Sequence, residues 1–226
     1  MRGEHRLRIR LIALLTIVAG GCATAPPERT APPPQAGGMT AAEMEELFRA
    51  RRDSARGRYT EADVAFMTGM IHHHAQALHM ARLVPSRTES ASMETLGARI
   101  LNAQQGEIAT MQTWLRERGE PVPELHVMDG RADHAMHGPL MPGMLTEAQL
   151  TQLEQAEGAA FDRLFLELMI QHHRGAVTMV HELFATGGAA QDEAVFKLAS
   201  DVQADQRSEV GRMERMLAAM SGGAPS

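Results

Sequence analysis

Apolar residues recur at helical spacing along most of the chain from residue 40 onward. Thr40 to Glu43 reads as a capping box, and a polar–apolar pattern follows to about Ala55. Thr60 to Asp63 opens a second helix, which Pro85 is expected to stop at about Val84. A third helix is expected from about Ala91 to Arg118, ended by Gly119 and Pro121. After an irregular stretch, Thr146 to Gln149 starts a further helix. It is expected to continue, bent near Gly158, to about Ala185, just before Gly187-Gly188. A last helix is expected from about Ala190 to Met220. Few segments alternate with a period of two, so strands are not expected and the fold class is all-α.

The pattern occurs twice. Met70, His73, His74 and Met80 recur as Met169, His172, His173 and Met179, each 99 residues later. Asp63 and Phe66 recur as Asp162 and Phe165 at the same offset. Further on, Gln104, Glu107, Ile108, Met111 and Leu115 recur as Gln206, Glu209, Val210, Met213 and Leu217, with the offset lengthened by three residues. A change in loop length produces such a shift. Each half is therefore a long helical hairpin, one helix bearing the His pair and the other a Gln-x-x-Glu-apolar pattern. Two such hairpins most naturally form a four-helix bundle. The first is expected at about 60–119 and the second at about 146–220, joined by a His/Met-rich linker at about 120–145.

Helix geometry sorts the histidines. At about 100° per residue, Met70, His74, Ala77 and Ala81 lie along one stripe, with His73 and Met80 on one flank and Met67 on the other. His72, Gln76 and His79 fall on the opposite face, expected to meet solvent. In the second copy Met169, Ala176 and Val180 are central, His172 and Met179 flank one side and His173 the other. Gln171 and Thr178 are its outer positions.

The first residues set the compartment. Arg2, Arg6, Arg8 and Arg10 precede an apolar run of nine residues, Leu11 to Ala19, too short to span a bilayer and shaped like a secretory core. It ends in Val18-Ala19-Gly20-Gly21-Cys22, which resembles a lipoprotein signal box with Cys22 as the lipidated residue. Residues 1–21 are thus expected to be removed, leaving a protein exported to the periplasmic side and lipid-anchored to a membrane, the outer membrane in a Gram-negative cell. Residues 22–38, rich in Pro, Ala and Gly, form a tether. Residues 39–220 are long enough for one helical domain with its own core. The net charge of −6 comes without a basic patch bearing interleaved aromatics, so nucleic acid is not an expected partner.

Cys22 is the only cysteine, so no intramolecular disulfide forms and a soft-metal site would have to use Met and His. Burying four imidazoles costs free energy unless each finds a partner. Two solutions are open: a bound metal, or hydrogen bonds to carboxylates, with Glu107 and Glu209 the obvious candidates. The linker adds His126, Met128, His134, Met136, His137, Met141 and Met144, of which His134, Met136, His137, Met141 and Met144 are auxiliary metal candidates. Met141 and Met144 are also suited to plugging one end of the bundle. Met111, Met213 and Met216 read as core filler. No carboxylate cluster with the His pairs suits an oxygen-liking ion, and structural zinc lacks its usual cysteines. His181-Glu182 lacks the second histidine of a metalloprotease, and Glu167 has Ile170 where a di-iron motif needs histidine. Mixed thioether and imidazole donors favour Cu(I), with Ag(I) chemically similar and Cu(II) accommodated by the imidazoles.

Phe66-x-x-x-Met70-Ile71-x-His73-His74-x-x-Ala77-x-x-Met80-Ala81 resembles the first signature of the bacterial domain-of-unknown-function 305 family. Met141-Pro-Gly-Met-Leu-Thr146, with Phe161-Asp-x-x-Phe165-Leu-x-x-Met169-Ile-x-His172-His173-x-Gly175-Ala176-x-x-Met179, resembles the second. Gln206-x-x-Glu209-Val210 is similar to its closing helix. The resemblance implies a ferritin-like four-helix bundle, usually exported, with some copper-binding CopM-like members that support copper resistance. This chain departs from the pattern at Gln171, where members often carry Pro, and in the extra His72 before the first pair.

Two function classes follow. One is an exported protein that sequesters or hands over copper, without enzymatic activity or organic cofactor and with a copper-handling protein as partner. Its ligands would be Met70, His73, His74, Met80, Met169, His172, His173 and Met179. The other is a lipid-tethered interaction module whose His pairs form a metal-free polar network. No nucleophile–base pair, phosphate loop or acid pair points to an enzyme.

Overall fold

A computed structural model describes residues 39–56, 59–124 and 140–222. Its helices are α1 (Ala41–Arg56), α2 (Glu61–Arg87), α3 (Ala91–Arg118), α4 (Glu147–Gln155), α5 (Gly158–Ala185) and α6 (Glu193–Gly222). There are no strands among the described residues. The signal segment, the tether with Cys22, and His126, Met128, His134, Met136 and His137 lie outside the described residues.

Local chemistry explains the boundaries. Thr60 caps α2 through the Asp63 amide while the Asp63 carboxylate returns to the Thr60 amide at 2.8 Å, closing the box read in the sequence. Gly119, at φ 73°, ends α3 in the left-handed conformation that glycine adopts without steric cost. Three boundaries differ from expectation. α2 runs through Pro85 to Arg87, because proline removes one amide from the ladder and the Thr88 amide still reaches the Val84 carbonyl at 3.2 Å. α6 begins at Glu193, not Ala190: Ala190 has φ 54°, and the Asp192 carboxylate caps the Ala194 and Val195 amides. The helix expected from 146 to 185 is two helices. Ala156 and Glu157 are extended and Gly158 has φ 56°, which frees α4 to fold back against α2 and α5.

α2 pairs with α3, α5 with α6, and α2 meets α5. The repeat boundaries are thus hairpin boundaries. Two apolar clusters fill the interior. One holds Phe66, Met67, Met70, Met111, Trp114 and Met179. The other holds Met80, Met93, Phe161, Phe165, Met169 and Met213. Each cluster takes its α2 and α5 methionines from opposite ends of the motif, as antiparallel helices require. Trp114, Arg118 and Asp192 fasten the α3 end to the α6 start: the Trp114 indole donates to Asp192 at 3.1 Å, and Arg118 pairs with the same carboxylate. None of the described helices is long and apolar enough to cross a membrane.

Candidate metal centre

His73, His74, His172 and His173 are fully buried on α2 and α5. The His73 and His172 rings face each other with centroids 3.9 Å apart, and His173 lies 6.2 Å from His172. The two sequence-distant pairs therefore form one group.

Three of the four rings have an oxygen acceptor. His74 Nε2 donates to Glu107 Oε2 at 2.6 Å, and His173 Nε2 donates to Glu209 Oε2 at 2.8 Å. These are the carboxylates singled out from the repeat. α3 and α6 bring one carboxylate to each His pair, as hydrogen-bond partners and not as a cluster suited to an oxygen-liking ion. His73 Nε2 donates to the Pro142 carbonyl at 3.0 Å. A proton held on Nε2 leaves Nδ1 with a lone pair. Nδ1 of His73, His74 and His173 has no hydrogen-bond partner, and neither nitrogen of His172 has one. The His73 carbonyl lies near enough to His172 to favour its protonation, yet not in bonding geometry.

Burial sets the charge of the inner pair. It lowers His73 to about 3, helped by repulsion from His74 and His173 and opposed by the Pro142 carbonyl. His172 is held well below its ordinary value, by burial first and then by His73, His173 and His74. Both are neutral at neutral pH, the form that ligates metals.

Met70, Met80 and Met169 are fully buried and Met179 nearly so, all in the clusters that include the motif helices. Met141 is half-buried against the first cluster, with its sulfur close over Gly69, and Met144 is half-buried in the turn that follows. Among the described residues no three His, Cys, Asp or Glu side chains could hold one ion between them. Closed zinc or calcium sites need such a set. Lone pairs on imidazole and thioether suit a soft ion of low coordination number.

The outer face of α2 departs from expectation. Gln76 and His79 are buried, not solvent-facing. The segment at 140–145 and α4 cover them: Gln76 makes two hydrogen bonds to the Leu145 backbone, at 2.8 and 3.1 Å, and His79 bonds Glu154 at 2.9 Å. His72 and Gln171 are half-buried, and Thr178 is exposed as expected. Sequence reasoning missed Gln76, Glu154 and the Pro142 carbonyl. The signal was a mismatch within the repeat. Gln76 aligns with Gly175, and a Cβ at Gly175 would drive into the Pro142 carbonyl.

The sequence profile of a domain of unknown function, DUF305, matches residues 63–217, the span that carries both hairpins. The chain belongs to the DUF305 family. A DUF305 fragment from Deinococcus radiodurans is 29% identical, with a TM-score of 0.59 over 71% of this chain and 98% of that one. A presumptive secreted DUF305 protein from Streptomyces coelicolor is 27% identical, with a TM-score of 0.60 over 71% and 94%. CopM in its Cu(I)-bound form is 28% identical, with a TM-score of 0.53 over 70% and 96%, and Cu(II)-bound and Ag-bound CopM are also similar. No curated protein matches in sequence.

Proposed function

We propose that this DUF305 protein is an exported, non-enzymatic metal-binding protein that sequesters or hands over Cu(I), with Ag(I) as a close chemical substitute. The observation that carries this reading is the group of buried imidazole nitrogens left without partners. In a purely structural network these would be the atoms to satisfy, since an unpaired buried polar atom costs about 1–3 kcal/mol. The carboxylate–imidazole bonds support the same reading, because outer hydrogen bonds of this kind orient metal-ligating histidines. His73, His74, His172 and His173, with Met70, Met80, Met169 and Met179, supply the donors. His134, Met136, His137, Met141 and Met144 are auxiliary. Similarity to CopM, which has Cu(I)-, Cu(II)- and Ag-bound forms, supports copper as cargo. Lipidation of Cys22 would hold the protein at a membrane on the periplasmic side, where a copper-handling protein would receive or supply the ion.

The metal-free network is the second reading, favoured by the bonds from Glu107, Glu209 and Pro142. Titration of the mature protein with Cu(I) against a chromophoric chelator separates the two. Tight uptake is expected, with His73→Ala/His172→Ala weakening it more than about 100-fold while far-ultraviolet circular dichroism keeps its helical signal. No uptake of Cu(I) or Ag(I) by the parent establishes the network instead. Undiminished binding by the double variant moves the site to the linker.

A further inference from the structure

A cavity of about 320 Å³ opens between α3 and α6, lined by Arg99, Gln104, Glu107, Asp205, Gln206 and Glu209, among others. It sits directly over the histidines: Glu107 and Glu209, which floor it, are the residues bonded to His74 and His173. Asp205 is exposed at the cavity's outer part, while the Glu107 and Glu209 side chains are only 15% and 13% exposed. Arg99 is the one cation among the lining residues, against three carboxylates. Burial raises the Asp205 pKa, and repulsion from Glu107 and Glu209 raises it further.

An acidic cleft alone is no site. Here two amides add a separate observation. Gln104 is 1% exposed and Gln206 2%, and both line the cavity. Neither amide atom of Gln104 has a partner, and the Gln206 carbonyl oxygen has none. Apolar residues at these positions would remove that cost, since a buried unpaired amide is destabilising. Both glutamines stand three residues before a floor glutamate, in matching places of the two hairpins.

We propose that this cleft is the entrance through which a monovalent soft cation reaches the histidines, drawn in by Asp205, passed by the Gln104 and Gln206 amides, and delivered past Glu107 and Glu209. The proposal rests on the metal-binding reading and adds a route to it. The cation changes no oxidation state on the way. Carboxylates at a cleft mouth raise the local concentration of cations and so the rate of capture, and salt screens the effect.

The test is the rate of Ag(I) loading onto the mature protein by stopped-flow competition with an indicator, in nitrate buffers. At low ionic strength Asp205→Asn is expected to load roughly threefold slower and Arg99→Ala roughly threefold faster. Both differences should vanish near 1 M salt, and equilibrium affinity should stay at the parent value. Glu182→Gln, an exposed carboxylate on α5 outside the cleft, should load as the parent does. Parental rates for both cleft variants overturn the entrance while leaving the metal site standing. Equal slowing by Glu182→Gln also overturns it, because net charge alone would then be responsible. A parent that takes up no Ag(I) overturns the metal reading and the entrance together.

Discussion

Gln76 and Gly175 hold the same place in the two repeats, one on α2 and the other on α5. Gln76 uses both ends of its amide to grip the Leu145 backbone. Gly175 uses its missing side chain, letting Pro142 and Gly143 lie against the helix. The same linker that takes these two contacts also gives its Pro142 carbonyl to His73. His172, the counterpart of His73, receives no such acceptor. His74 and His173, in contrast, each have a glutamate at nearly the same distance. The outer histidines are thus equivalent and the inner ones are not. Duplication by itself would make two like sites. A single linker lying across two like helices makes them different.

Three measurements probe that difference. The largest effect is expected from acid on the metal-free protein. His73 titrates near 3 in the folded state and near 6.5 when unfolded. Unfolding then takes up a proton below pH 6.5. The stability from keeping this ring neutral is full above that pH and is lost progressively as pH falls towards 3. His172 is lowered in the same direction, opposed only by the His73 carbonyl, which is not in bonding geometry, where His73 has the bonded Pro142 carbonyl. Melting temperature should fall steeply from pH 7 to pH 4, on the order of a few kcal/mol of stability. His172→Gln should flatten that slope more than His73→Gln, and equal slopes would mean the linker carbonyl does not distinguish the rings.

Next are the two linker contacts. Gly175→Ala puts a methyl group into the Pro142 carbonyl, so backbone must move, at a cost of about 3 kcal/mol. Gln76→Ala gives up two buried hydrogen bonds and leaves the Leu145 amide and carbonyl unpaired, at about 2 kcal/mol. Urea unfolding measures both. A neutral Gly175→Ala would place the linker elsewhere in solution. The smallest effect expected is on Cu(I) affinity: His73→Ala should weaken binding about tenfold more than His172→Ala, because the Pro142 carbonyl fixes the proton on His73 Nε2 and holds its Nδ1 lone pair ready for the ion, whereas the His172 ring has no such partner.

Much of this architecture was legible in the sequence. Capping at Thr60 and the glycine stop at Gly119 are local, and local chemistry decided them. The hairpins followed from the offset repeat, and Glu107 and Glu209 from their matching places within it. What escaped was what non-local contacts decide. Periodicity put Gln76 and His79 on an outer face of α2, and that reading of the helix is sound. It could not know that α4 and the segment at 140–145 would return to cover that face. The break at Ala156–Glu157 that permits the return depends on Gly158 at φ 56°, and a bend near that glycine was as far as the pattern could go.

The depth of the methionines has a chemical consequence of its own. Peroxide converts a thioether to a sulfoxide, a polar group that ruins both packing and soft-metal affinity. Met70, Met80 and Met169 have no exposed surface, whereas Met44 on α1 is 44% exposed. Oxidation of the inner sulfurs must wait for the helices to part, so their rate of sulfoxidation is a clock for opening of the interior. Thioethers buried in this way outlast oxidants that would consume a surface thioether within the same exposure.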